Sequence, residues 1–143
     1  MPKRVGSSRT SFEGKLCKLL MAENRRWFAL TSGNNRGWDV HLYRPTNPSH
    51  WSDVILIEVK TSIKQSITFS GKQFDQLKRY QRIWKQQHIP TFYAFRWITS
   101  IKKYNGKPLD VLDKWHFFHI DNVPKTLKWE KGVKWKTFIG WLK

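Results

Sequence analysis

The run Val54-Ile55-Leu56-Ile57-Glu58-Val59-Lys60 begins with four aliphatic residues and ends on an acid and a base two positions apart. An unbroken aliphatic run suits a strand covered on both faces, the setting of an interior strand in an α/β sheet. Strand side chains alternate, so Glu58 and Lys60 project from one face and Val59 from the other. Upstream, Trp38 to Tyr43 also alternates, with Asp39, His41 and Tyr43 on one face and Trp38, Val40 and Leu42 on the other. Downstream, Ser70 and Gln73 match a capping box and predict a helix to about His88, with Phe74, Leu77 and Trp84 inward. Ile89-Pro90 stops that helix, and Thr91 to Ile98 reads as a further strand.

Toward the N-terminus, Phe12, Leu16, Leu19 and Leu20 recur at helical spacing and predict a helix over 10–25. Arg26 to Leu30 is a short aromatic and aliphatic strand, followed by a Ser/Gly/Asn-rich loop over 31–37. The order α-β-β-β-α-β predicts an α/β chain with a mixed central sheet flanked by helices. Beyond it come a Lys-Lys-Tyr-Asn-Gly turn over 102–106, an aromatic strand Trp115–Ile120 and a Trp/Lys-rich end. We expect one domain over 1–143, with its core at about 4–98 and a C-terminal extension over 99–143.

The chain has 143 residues, 27 Lys and Arg against 10 Asp and Glu, and a formal net charge of +17. Between Lys60 and Lys107 the basic residues face a single acid, Asp75. Self-repulsion on that scale calls for a polyanion, and a long positive surface suits a phosphate backbone. At 39% hydrophobic and 15% aromatic, the composition excludes a disordered basic tail. No apolar run is long enough to span a membrane, and the first residues lack the apolar segment of a secretory signal. The single cysteine, Cys17, excludes an internal disulfide and a Cys-based zinc site. His50, His88, His116 and His119 show no ligand spacing. We therefore expect a cytoplasmic, DNA-associated protein, with no membrane partner and no small-molecule substrate.

The scarce acids carry the chemistry. Two carboxylates and an ammonium at the ends of adjacent strands cost desolvation energy, which a divalent cation would offset. Asp39, Glu58 and the backbone carbonyl of Val59 supply the oxygen ligands that Mg²⁺ takes, and Lys60 stands ready to orient water and stabilise phosphoryl charge. That set suits phosphodiester hydrolysis.

The segments Gly37-Trp-Asp-Val40 and Ile57-Glu-Val-Lys60, preceded by Glu13 on the first helix, resemble the PD-(D/E)XK nuclease superfamily. Within it the pattern is most similar to archaeal-type Holliday junction resolvases, which phages also encode. The likeness covers about residues 4–97, with Trp38 standing where the motif's name has proline. It implies a restriction-endonuclease-like core, Asp39 and Glu58 as Mg²⁺ (or Mn²⁺) ligands, and Lys60 as the catalytic lysine. Glu13 would assist directly or through water, and Ser32 matches a loop serine that contributes to activity in some relatives. It also implies a homodimer that nicks opposed strands of a branched double-stranded DNA, in a prokaryotic or phage-infected cell. Arg4, Arg9, Arg25, Arg26 and Arg36 would hold phosphates near the site, and Lys64, Lys72, Lys78 and Arg79 would extend the track.

Plainer readings stand beside these. Thr10 and Glu13 also satisfy a capping box. Asp39 could pair with a nearby arginine, Glu58 with Lys60 as a solvent-facing ion pair, and Ser32 could be an ordinary loop residue. Gln76 and Tyr80, one helical turn apart, resemble the Q-x-x-x-Y element of exonuclease-like members. His41 shares the face of Asp39 and suits a structural role. The nine tryptophans suit a core or a subunit contact, with some free to stack on unpaired bases. Two rival functions remain: a sequence-specific restriction or homing-type endonuclease, and a non-catalytic nucleic-acid-binding protein.

Overall fold

The computed structural model describes residues 12–24, 26–31, 39–44, 54–100, 102–109 and 111–142. Arg4, Arg9, Arg25, Ser32 and Arg36, like Thr10 of the first capping box, lie outside the described residues.

Chain order is α1 (Phe12–Glu23), β1 (Phe28–Thr31), β2 (Val40–Tyr43), β3 (Val54–Ser62), β4 (Ser66–Thr68), α2 (Lys72–Gln87) and β5 (Thr91–Trp97). There follow β6 (Lys103–Tyr104), β7 (Lys107–Pro108), β8 (Trp115–His119), β9 (Thr126–Lys128), β10 (Val133–Lys134) and α3 (Trp135–Trp141). Six strands form one sheet in the order β1-β2-β3-β5-β8-β10. Only β3 and β5 run parallel, joined through α2; the other neighbours are antiparallel. The expected mixed sheet flanked by helices is thus the observed one.

Two apolar layers cover the sheet. On one face Leu16, Cys17 and Leu20 of α1 and Trp135, Phe138 and Ile139 of α3 pack with Val40, Leu42, Ile57, Phe92 and Phe117. On the other, Leu77 and Tyr80 of α2 pack with Phe69, Tyr93, Phe95, Trp97, Phe118 and Trp129. The alternation along β5 explains the division, since Phe92 and Ala94 face one layer and Tyr93 and Phe95 the other. Burying apolar area on both faces supplies most of the driving force for such a three-layer domain.

Three local expectations change. The Ser70–Gln73 capping box does not form: Gly71 caps α2 at φ 54°, and the Gln73 N–H donates to the Ser70 backbone carbonyl at 3.1 Å. The turn needs a positive φ, which glycine adopts without strain. The third strand runs on to Ser62 because β5 pairs with it as far as Trp97. Residues beyond 98 are no appendage, because β8 and β10 complete the central sheet and α3 closes one layer.

The Asn-Gly turn is a tight hairpin, Asn105 at φ 53° and Gly106 at φ 79° linking β6 to β7. Of the tryptophans, Trp27, Trp97, Trp115, Trp129 and Trp135 are buried, so their main role is packing; Trp141 is exposed.

Candidate active site

The acidic site begins where the β2–β3 ladder ends. Val40 pairs with Ile57 at the last rung, which places Asp39 opposite Glu58 just beyond it. There the Asp39 Oδ2 accepts the Val59 N–H at 2.8 Å, taking the place of a strand partner. In a strand the N–H and C=O of one residue leave by the same edge, so the Val59 carbonyl also faces the Asp39 side.

Glu58 is buried at 6% exposure, and its Oε1 has no hydrogen-bond partner. Its Oε2 lies 3.5 Å from the Lys60 Nζ. Lys60 in turn donates to the Gln76 Oε1 at 3.2 Å, and its ammonium sits over the rings of Tyr93 and Phe69 at 5.7 and 5.9 Å. One lysine is therefore held by a carboxylate, an amide and two aromatic faces.

The charges are strained against their surroundings. Burial, then the neighbouring Asp39 carboxylate, pushes the Glu58 carboxyl up to about 7, and Lys60 only partly offsets this. Burial also raises Asp39, against the pull of the Val59 N–H. A pair of carboxylates held together at this cost suits a divalent cation. The donor set is hard oxygen: the carboxylates of Asp39 and Glu58, with the orphaned Glu58 Oε1 free to ligate, and the Val59 carbonyl. Mg²⁺ fits it, because that ion keeps several waters and needs few protein ligands.

The expected residues divide by position. Glu13, in the first turn of α1, acts on Asp39 through its charge, but no group of three or more His, Cys, Asp or Glu gathers among the described residues. Gln76 and Tyr80 do come to the site. Tyr80 is buried at 4%, and burial followed by the Glu58 charge raises its phenol to about 12, while Arg79 hydrogen-bonds it.

Lys72 and Arg79 stand one turn before and after Gln76 on the same helical stripe and are exposed, so they flank Lys60. Lys78 lies on the far side of α2, its ammonium over Phe74 at 5.2 Å. Arg26 and Lys64 are exposed, in the turns after α1 and after β3. His41 is exposed on β2.

Sequence reasoning missed Tyr93. It is the register partner of Glu58 on β5, and a tyrosine inside an apolar strand carries no signal until the pairing is known.

These features sit on a known backbone. The structure is similar to that of Hjc, a Holliday junction resolvase from the archaeal hyperthermophile Archaeoglobus fulgidus. The TM-score is 0.59, over 94% of this chain and 97% of that chain, at 15% sequence identity. The fold is restriction-endonuclease-like. No protein-family profile matches the chain, and no curated protein matches its sequence.

The likeness to the restriction-endonuclease-like fold extends past residue 97, where the sequence motifs stop, because β8, β10 and α3 belong to the core. A cavity of about 340 Å³ among Tyr104, Asp113, His116, Trp129, Glu130 and Lys134 is separate from the carboxylates. Several of its polar groups already pair, Tyr104 with Glu130 at 2.9 Å and His116 with the Trp129 carbonyl at 2.7 Å. The chemistry of the carboxylates, not this cavity, marks the site.

Proposed function

We propose that this protein is a structure-specific endodeoxyribonuclease that resolves four-way DNA junctions by paired nicks from a homodimer, in DNA recombination and repair. The observation that carries the proposal is the meeting of Asp39, Glu58 and Lys60 at the ends of β2 and β3 on a restriction-endonuclease-like backbone. The net charge of +17 supports a DNA partner.

In the mechanism, Asp39, Glu58 and the Val59 carbonyl would hold a Mg²⁺ ion, with Mn²⁺ as the substitute. Bound there, such an ion would supply Lewis acidity toward the phosphate and an activated water at neutral pH. Lys60, steered by Gln76, places its ammonium where negative charge develops on the phosphoryl oxygens. Glu13 contributes through its charge on Asp39. Lys72 and Arg79, beside Gln76, hold phosphates and set the position of the backbone over the site. Phosphate contacts carry no sequence information, so recognition follows the shape of the branch.

The dimer belongs to the same proposal. The outward strip Phe28, Leu30 and Tyr43 on β1 and β2 is exposed at 47%, 55% and 36%, and the Phe28 and Tyr43 rings stack at 5.5 Å. An apolar strip beside an edge strand is suited to a second copy of the chain. No helix among the described residues is long and apolar enough to cross a membrane, and we place the protein in the cytoplasm with DNA.

The test incubates purified protein and Mg²⁺ with a mobile four-way junction or a linear duplex of the same sequence, beside Asp39→Ala. Symmetrical paired nicks in the junction alone, lost in the variant, are expected. Cleavage of linear duplex at one defined sequence would instead make it a sequence-specific endonuclease. Tight binding with no metal-dependent cutting would sink the enzymatic reading.

A further inference from the structure

Among the described residues, two buried polar atoms on the α2 face of the sheet have no hydrogen-bond partner: the Oε1 of Glu58 and the hydroxyl of Tyr93. They belong to register partners on adjacent parallel strands, so their side chains leave the sheet on the same face, one strand spacing apart. Tyr93 is fully buried. Its ring is well used, edge-on to Phe69 at 5.7 Å and beneath the Lys60 ammonium at 5.7 Å.

A phenylalanine would pack there equally well. The hydroxyl adds only a buried, unpaired donor, which is unfavourable unless another state of the site gives it a partner. The nearby groups that could accept are few. Burial raises the phenol, and the charges that act on it further come from Glu58, Tyr80 and Asp39. Tyr80 is already engaged by Arg79, and one oxygen of Asp39 by the Val59 N–H. Of these, the Glu58 Oε1 is the acceptor that is itself buried without a partner and belongs to the residue directly opposite Tyr93.

We propose that Tyr93 is a positioning residue of the metal site, its hydroxyl donating to the Glu58 carboxylate, across at most one water, to fix it for ligation. This rests on the reading of Glu58 as a Mg²⁺ ligand. Groups that orient ligating carboxylates are worth about 10–100-fold in metal affinity or activity when removed.

The variant is Tyr93→Phe, which keeps the ring. Three quantities are measured on the full chain: the melting temperature in EDTA, the rise in that temperature as Mg²⁺ is titrated, and the Mg²⁺ concentration giving half-maximal junction cleavage. In EDTA the variant melts at or above the wild-type temperature, by up to about 8 °C, because an unpaired donor has been removed. The Mg²⁺ midpoints for stabilisation and for cleavage both move up about tenfold or more, with junction binding in EDTA unchanged.

A lower melting temperature in EDTA would overturn the proposal by showing that the hydroxyl has a structural partner. Unmoved Mg²⁺ midpoints would overturn it too. If the wild type cuts nothing, the nuclease reading fails by itself, and the Mg²⁺-induced stabilisation still decides the role of Tyr93. If Mg²⁺ does not stabilise the wild type at all, Glu58 is no ligand and this inference falls.

Discussion

Glu58→Gln keeps the size of the side chain and removes its charge, and it should make the metal-free protein more stable while abolishing cleavage. Burial and Asp39 raise the Glu58 carboxyl from 4.5 to about 7 in the folded protein. At about 1.4 kcal/mol per unit, that shift is worth roughly 3 kcal/mol. The sign follows from proton linkage. Between pH 4.5 and 7 the folded chain holds a proton that the unfolded chain has released, so folding is favoured at low pH and weakens as pH rises through 7. Above that range the native state carries a buried carboxylate that Lys60 compensates only in part. Glutamine is neutral throughout, and its carbonyl can still accept from Lys60. In EDTA at pH 8 the variant should gain up to about 3 kcal/mol, or roughly 10 °C in melting temperature, while the two proteins match near pH 4. Added Mg²⁺ should reverse the order at pH 8, stabilising the wild type alone. Thermal unfolding at both pH values, with EDTA or Mg²⁺, makes the measurement. A variant less stable than wild type at pH 8 in EDTA would refute the reasoning, as would equal loss of stability in both proteins between pH 4 and 8.

Four further outcomes follow from the geometry. Gln76→Ala frees the Lys60 ammonium from its 3.2 Å contact and should lower single-turnover cleavage about tenfold, with junction affinity unchanged; a larger effect on affinity than on rate would place Gln76 on the DNA instead. Arg79→Ala should weaken junction binding and reduce the salt slope by about one, measured by fluorescence anisotropy from 50 to 200 mM salt. Lys78→Ala, on the other side of α2, should leave that slope almost unchanged, and equal effects would contradict the placement of the phosphate track. Leu30→Lys should yield monomers in sedimentation and turn paired nicks into single ones, whereas an intact dimer would move the interface elsewhere.

Asp39, Glu58 and Lys60 were legible because strand alternation is strict. Once β2 and β3 pair as an antiparallel hairpin, the acids at their ends must meet on one face. The Q-x-x-x-Y spacing was legible for a related reason, since residues four apart share one side of a helix, and α2 lies across the strand that bears Lys60. Other contacts were hidden because they depend on long-range register. Nothing local in the sequence connects Val59 N–H with an aspartate twenty positions earlier, or Tyr93 with Glu58. The role of residues 115–142 was hidden for another reason. Their aromatic content is compatible with any buried setting, and only the pairing of β8 with β5 draws them into the main sheet.

The same register explains why stability and function pull apart at this place in the fold. Lys60, Phe95 and His116 form one row across three strands, and Glu58, Tyr93 and Phe118 form the next. Phe95 and Phe118 serve packing, and His116 is satisfied by stacking on Trp129 at 3.8 Å and bonding its carbonyl. Only the β3 and β5 positions of the second row hold groups that the fold leaves unsatisfied: the raised Glu58 carboxyl with its unpaired oxygen, and the unpaired Tyr93 phenol. Replacing them with apolar or neutral residues of equal size would improve the isolated domain. Their presence therefore fits the proposed ligand: a divalent cation would answer a pair of mutually repelling carboxylates beside an ammonium and within a strongly basic surface. If so, Mg²⁺ and junction DNA together should stabilise the wild type by more than the sum of their separate effects. In Asp39→Ala the two effects should be no more than additive. Additivity in the wild type would show that cation and phosphate do not share the site.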